Sequence, residues 1–279
     1  MPHLIALCGK KQSGKTTLSN YIHGHEMKRH DLIDDFWITN LGNLYVKYGV
    51  IDETGAVIED SEGPLDLWQN TEEFYNYAST YIWPLIRGYN FADPLKEICM
   101  NLFGLTNEQC YGSDEDKNNK INFNWEKMPG ETRFKSGYGQ MTARQFMQYF
   151  GAEIMRKIDP NVWVNNCMAR IKQDNTPIAI ISDCRYINEI EAVKKAGGKV
   201  IKLTRDVPNT DNRSSLEKEI ANHSSETSAD EYDDFDAVIN NQNMTIQESV
   251  DTFLNRMIDM GVTKRLRSIN QRRGTASIK

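Results

Sequence analysis

Gly9-Lys10-Lys11-Gln12-Ser13-Gly14-Lys15-Thr16-Thr17 is the stretch that decides the fold. It matches the spacing G-x-x-x-x-G-K-[ST] in full. The apolar run Leu4-Ile5-Ala6-Leu7-Cys8 precedes it, and Leu18, Tyr21 and Ile22 follow at helical intervals. Strand, glycine loop and helix form the setting in which this spacing means phosphate binding. Glycine lets backbone N–H groups curl around an anion without a Cβ in the way, and the helix N-terminus adds the positive end of its dipole. Lys11, Ser13, Gly14, Lys15, Thr16 and Thr17 make up the expected phosphate-binding set. Lys15 is placed to reach the β- and γ-phosphates of ATP, and the Thr16 hydroxyl to ligate Mg²⁺.

Working outward, apolar runs recur between helical stretches: Tyr89-Asn90-Phe91-Ala92, Ile178-Ala179-Ile180-Ile181-Ser182, Lys199-Val200-Ile201-Lys202-Leu203 and Ala237-Val238-Ile239. With the first run they make five strands alternating with helices. That is the pattern of an α/β fold: a five-stranded parallel sheet with helices on both faces and ligands at the carboxyl ends of its strands. The polar candidates fall at those ends. Asp93 to Lys96 follow the second strand, Asp183 and Arg185 the third, and Arg205 the fourth. Asp183 stands where a metal-binding acid belongs, holding Mg²⁺ through water while Thr16 binds it directly. Arg144, Arg156 and Arg213 add further guanidiniums. A transferase joining two anionic substrates needs several such groups to hold both phosphates in line.

Helix signals are explicit in places. Asp93-Pro94 reads as cap and first helical residue, and Thr106…Gln109 and Thr142…Gln145 as capping boxes. The first helix is expected to end near Gly24. There His23, His25 and His30 lack the carboxylate or cysteine partners of a metal site and read as solvated helix-end residues. Phe36 to Gly88 is expected to be an insertion. It combines a hairpin, Leu44–Ile51 and Ala56–Ile58 around Asp52–Gly55, with a helical segment from Phe74 to Trp83 whose aromatics read as core. Gly112 to Gly139 reads as a polar loop anchored by Trp125. The core is therefore placed at 1–35 and 89–263, with a lid at about 205–234 opened by Arg205. From Lys264 a basic tail carries six Lys/Arg and no acid.

Composition sets outer bounds. The 279 residues suit one large α/β domain with an insertion, at 39% hydrophobic and 26% charged. Mean hydropathy is −0.61. A net charge of −6 argues against a polymeric nucleic-acid binder, and no apolar run approaches membrane-spanning length. The five cysteines form no C-x-x-C pair and read as reduced thiols of a cytoplasmic protein. A homodimer is left open.

Beyond the loop, an ordered set of stretches resembles the bacteriophage deoxynucleoside monophosphate kinases of the P-loop nucleoside monophosphate kinase superfamily. The set is Phe91-Ala92-Asp93-Pro94-Leu95-Lys96, the run from Gly104 to Gly112, and Arg144 to Gly151. Asp159-Pro160-Asn161-Val162-Trp163-Val164, Asp183 to Glu189, and His223-Ser224-Ser225-Glu226 complete it. The resemblance implies a P-loop NTPase fold with a lid, and transfer of the ATP γ-phosphate to a deoxynucleoside monophosphate (dNMP) with Mg²⁺, in the host cytoplasm for a phage. By position, it implies that Lys96, Arg144, Gly151, Trp163 and Arg185 line the acceptor site and that Arg205 belongs to the lid. Lys15, Asp183, Arg185 and Arg205 would be the catalytic group. Ala152 departs from the pattern, which has a threonine there, and the 36–88 insertion has no clear counterpart. Two other functions fit the residues alone: a kinase of another phosphorylated acceptor, such as a phosphomevalonate-type substrate, and an ATP-gated binding module.

Overall fold

The computed structural model describes residues 2–51, 57–69, 71–129, 138–205, 229 and 232–266. The chain forms two compact units, Met1–Tyr89 with Asp174–Lys279, and Asn90–Gln173.

The first unit is built on a five-stranded sheet of order β10-β9-β1-β8-β5. Its strands are β1 (His3–Cys8), β5 (Ile86–Tyr89), β8 (Ile178–Cys184), β9 (Lys199–Thr204) and β10 (Ala237–Asn240). Every neighbouring pair runs parallel. β1 sits at the centre, and all its residues after His3 are buried, as a strand covered on both faces requires. Ile5 and Leu7 join one core with Leu18 and Ile22 of α1 (Lys15–Arg29) and Phe253 and Met257 of α10 (Ile246–Asp259). The alternate residues Leu4 and Ala6 face the other way. α9 (Ile187–Lys195) packs against β1 and β9. The expected parallel sheet flanked by helices is therefore present.

Several expectations need correction. The second core strand is β5, which ends at Tyr89, so Asn90 to Ala92 lie beyond it. Local propensity does not distinguish these apolar neighbours; pairing with Ile178 to Ile181 of β8 does. Helix α1 runs past Gly24 to Arg29, and His23 and His25 are buried. The reason is the segment that follows the helix. A three-stranded antiparallel sheet of β2 (Asp35–Ile38), β3 (Leu44–Ile51) and β4 (Val57–Pro64) lies against α1. A Cβ on Gly24 would come 2.4 Å from the Phe36 ring and 2.8 Å from Leu44. The strand–turn–strand unit expected there is thus part of a larger sheet that turns a polar-looking helix end into core.

The segment expected to carry core aromatics forms α2 (Glu72–Tyr77) and a π-helical turn, Ala78–Ile82. Only part of it points inward. Phe74, Ala78 and Ile82 are buried, whereas Tyr75, Tyr77 and Tyr81 are exposed.

The second unit has its own core: Cys99, Leu105, Trp125, Met141, Phe146 and Tyr149, among others, with Phe103, Phe123 and Phe150 packed on it. Its helices include α3 (Asp93–Phe103), α4 (Asn107–Tyr111), α5 (Asp114–Asn118) and α6 (Ala143–Gln148). α6 continues through a π-helical stretch, Tyr149–Met155, into α7 (Arg156–Ile158), and α8 is Val162–Asp174. Both expected capping boxes are formed, at Thr106/Gln109 and Thr142/Gln145. Asp93 does not cap α3. The N-cap is Ala92, and the Asp93 carboxylate accepts from the Asn90 backbone and side chain instead. The stretch read as a polar loop contains α5 and β6 (Lys120–Asn124), which pairs with β7 (Gln140–Thr142) just beyond its end, and Trp125 within it is buried.

Candidate nucleotide site

The phosphate loop links the central strand β1 to α1. Gly14 is the N-cap of α1 at φ 94°, a left-handed conformation that L side chains rarely adopt. Ser13 is buried, while Thr16 and Lys10 face solvent. Lys15 is buried in the first turn of the helix. Its Nζ donates to the carbonyls of Gly9 at 2.6 Å and Lys10 at 2.7 Å, with the Ser13 hydroxyl at 3.4 Å. Burial, and then the nearby Arg185 guanidinium, push its ammonium down to about 8, against a weaker opposing pull from Cys8 and Asp183. The parallel sheet thus gathers Lys15, Asp183 and Arg185 into one electrostatic neighbourhood, although Lys15 stands 168 residues before Asp183 in the chain.

Arg185 follows β8 and is held by its backbone. Glu189, buried in α9, accepts from the N–H of Arg185 at 2.8 Å and of Tyr186 at 3.0 Å. Cys8 and Cys184 are register partners in β1 and β8, and both are buried. The hydrogen bond between them lowers the Cys8 thiol, and raises Cys184 together with burial. All five cysteines are buried, and none is in a disulfide. Arg205 is exposed just beyond β9. Arg213, His223 to Glu226 and nearly all of the expected lid lie outside the described residues, as does the tail beyond residue 266.

Sequence reasoning missed one support of the loop and one of the helix that follows it. Asn241, next after β10, is buried and donates from Nδ2 to the Ser13 carbonyl at 2.8 Å. Its Oδ1 has no hydrogen-bond partner among the described residues. The second is Asn20, which donates to the Gly42 carbonyl at 2.9 Å and joins α1 to the turn between β2 and β3. Neither lies in a motif. The only signal available was a polar residue directly after an apolar strand, and a buried asparagine on a helix face looks like any other.

The remaining candidates belong to the second unit. Lys96, in α3, holds Nζ 4.0 Å from the centre of the Tyr111 ring. Arg144, in the first turn of α6, donates to Asp114 at 2.6 Å and to Asn118 at 3.2 Å. Trp163 is only 3% exposed and donates its indole N–H to the Gly151 carbonyl at 3.2 Å. Gly151 lies under Leu95, which a Cβ there would meet at 2.8 Å. Arg156 donates to the Pro160 carbonyl at 3.4 Å.

No group of three His, Cys, Asp or Glu among the described residues could hold a metal ion by itself. Thr16 and Asp183 offer one hydroxyl and one carboxylate. That hard-oxygen set suits Mg²⁺ shared with phosphates and water, the usual arrangement for this ion. No helix among the described residues is long and apolar enough to cross a membrane.

A parallel sheet ending in this glycine loop, with an acid and an arginine closing the neighbouring strand, defines a P-loop α/β protein. Comparison with known families narrows the class. The deoxynucleotide monophosphate kinase model matches residues 92–250, more than half of the chain, and the chain belongs to that family. A protein of Acanthamoeba polyphaga mimivirus named "Putative deoxynucleotide monophosphate kinase" is 30% identical over 131 residues, which cover 42% of this chain and 59% of the mimivirus protein. The chain thus spans about three-fifths of that relative's length. The family match begins after the phosphate loop and takes in the second unit, β8 and β9.

Proposed function

We propose that the protein transfers the γ-phosphate of ATP to a deoxynucleoside 5′-monophosphate, giving the diphosphate and ADP. The carrying observation is the grouping of Lys15, Asp183 and Arg185 at the carboxyl ends of β1 and β8, in a chain of this family. Lys11, Ser13, Gly14, Lys15, Thr16 and Thr17 hold the triphosphate, with backbone N–H groups cradling it and Lys15 leaving its carbonyl partners for phosphate oxygens. Thr16 and Asp183 would hold Mg²⁺, which when bound neutralises charge between the β- and γ-phosphates. Arg185 balances charge on the phosphoryl group in transit, and Arg205 at the start of the lid helps exclude water. Lys96 and Arg144, both in the family-matched stretch, bind the acceptor phosphate, with Gly151 and Trp163 shaping the acceptor side.

The test is a coupled ADP-release screen over the four canonical dNMPs, their ribonucleotide counterparts and mevalonate 5-phosphate. Turnover with one or more dNMPs is expected. Turnover with mevalonate 5-phosphate alone, or slow ATP hydrolysis that ignores every acceptor, would overturn the proposal.

A further inference from the structure

The inserted sheet has no role in the proposal above, yet its geometry carries it to the phosphate loop. β2 runs back along α1. Phe36 lies over Gly24, and the turn after Ile38 brings Gly42 onto Thr17, one residue past the expected Mg²⁺ ligand. The approach is tight. A Cβ on Gly42 would stand 2.4 Å from the Thr17 hydroxyl, and the residue's φ of +82° favours glycine in any case. The turn is also fixed. Gly42 N–H donates to the Thr39 carbonyl at 2.8 Å, Asn43 N–H to the Thr39 hydroxyl at 3.1 Å, and Asn20 holds the Gly42 carbonyl from α1.

At the tip of this turn stands Leu41, 87% exposed, the most exposed large apolar side chain among the described residues. An isolated surface leucine is ordinary. Its address is what distinguishes this one. A triphosphate in the loop has its β- and γ-phosphates near Lys15 and its α-phosphate toward the helix residues that follow. The nucleoside departs from the α-phosphate, so a group bordering Thr17 borders the sugar and base. We infer that the β2–β3 turn is a wall of the donor site and that Leu41 packs against the nucleoside of ATP. The inserted sheet would then determine donor affinity through one apolar contact held in place by Asn20 and Gly42.

This inference rests on the phosphate-loop assignment, so its test separates the two. Calorimetry is run on the parent and on Leu41→Ala with two probes, ATP and inorganic tripolyphosphate. Leu41 touches little but solvent, so the variant is expected to melt with the parent. The parent should bind ATP more tightly than tripolyphosphate. Leu41→Ala should weaken ATP by at least about threefold, the scale of losing part of a leucine's apolar contact, with tripolyphosphate changed less than about twofold. Unchanged ATP affinity would overturn the inference, and so would an equal loss for both probes, since that marks the turn as a mere brace for α1. A parent that binds neither probe overturns the phosphate site and this wall together. A parent that binds ATP and phosphorylates no dNMP overturns the proposed reaction and leaves the wall standing.

Discussion

Asn241 donates its side-chain N–H to the carbonyl of Ser13 across a separation of 228 residues, closing the end of the last strand onto the phosphate loop. The bond is buried, and the backbone N–H of Asn241 is itself held by the Thr204 carbonyl at 3.1 Å. Leaving a buried carbonyl without its donor costs about 1–3 kcal/mol, and the Ser13–Gly14 peptide would relax to recover it. Asn241→Ala should therefore raise the KM for ATP by about tenfold while changing the acceptor KM little. Asn241→Asp, which keeps the shape and loses the donor, should behave alike. Initial rates over a grid of both substrates give the answer; an aspartate variant with parental ATP kinetics would show that the bond does not position the loop.

Lys15 gives a prediction with a definite sign. Burial and Arg185 lower its folded-state value from 10.5 to about 8, so between those limits the unfolded chain binds more protons and stability rises with pH. A triphosphate reverses the cause by placing negative charge beside the ammonium. ATP binding at pH 8.5 should then take up protons, and affinity should fall as pH rises through about 8. Calorimetry in buffers of different ionisation enthalpy measures the uptake. Lys15→Met should abolish it, and Lys15→Ala should cost at least about 10²-fold in transfer, the scale for losing a charge-stabilising group.

Arg144 is held by Asp114 at 2.6 Å, so an acceptor phosphate has to compete for its guanidinium. Arg144→Ala should raise the dNMP KM by at least about tenfold, as loss of a paired charge-assisted contact does. Asp114→Asn should move it the other way, since the competitor loses its charge. Arg185→Ala should raise the dNMP KM and also lower kcat, because charge passes beside it in the transition state. ATP affinity, measured separately, should stay near the parent value in all three variants. A fall in ATP affinity as large as the rise in acceptor KM would place the arginine on the donor side.

Glu26 in α1 is buried and accepts hydrogen bonds from His25, Arg29 and Thr263. Burial works against its charge, yet these bonds and the Arg29 guanidinium outweigh it and hold the carboxyl at about 2. The stabilisation is fully present above the unfolded carboxylate value near 4.5 and is lost as pH falls through about 2. His23, driven down to about 4 by burial despite its bond to the Ser19 carbonyl, resists charging and adds to acid sensitivity below its ordinary 6.5. Glu26→Gln should cost about 3 kcal/mol at pH 7, the scale of breaking a buried ion pair, and should flatten the acid limb of a denaturant-midpoint curve. A variant with the parental midpoint at pH 7 would mean that the cluster contributes nothing net.

Much of the fold is legible in the sequence. The glycine loop, the near-continuous run Ile178 to Ser182 and the capping boxes at Thr106 and Thr142 are local patterns, each with its chemistry inside a few residues. They appear where expected because a backbone turn or a doubly buried strand depends on residues close in sequence. The position of Asp183 and Arg185 is legible for the same reason, since they stand at the end of a recognisable strand. Boundaries were less legible: β5 ends before Asn90 because its partner β8 sets the register, and α1 outlasts Gly24 because another segment covers it.

The sequence by itself therefore determined the α/β class, the phosphate loop and the strand ends on which charged residues stand, since these follow from short-range periodicity and from glycine's conformational freedom. Only the tertiary structure decided that His23 and His25 are core, that Asn241 holds Ser13, that Arg144 is engaged by Asp114, and that the turn at Gly42 closes on Thr17. Each of those depends on two segments far apart in the chain arriving at one place. No local pattern encodes such an arrival, because it is fixed by packing and strand register summed over the whole core.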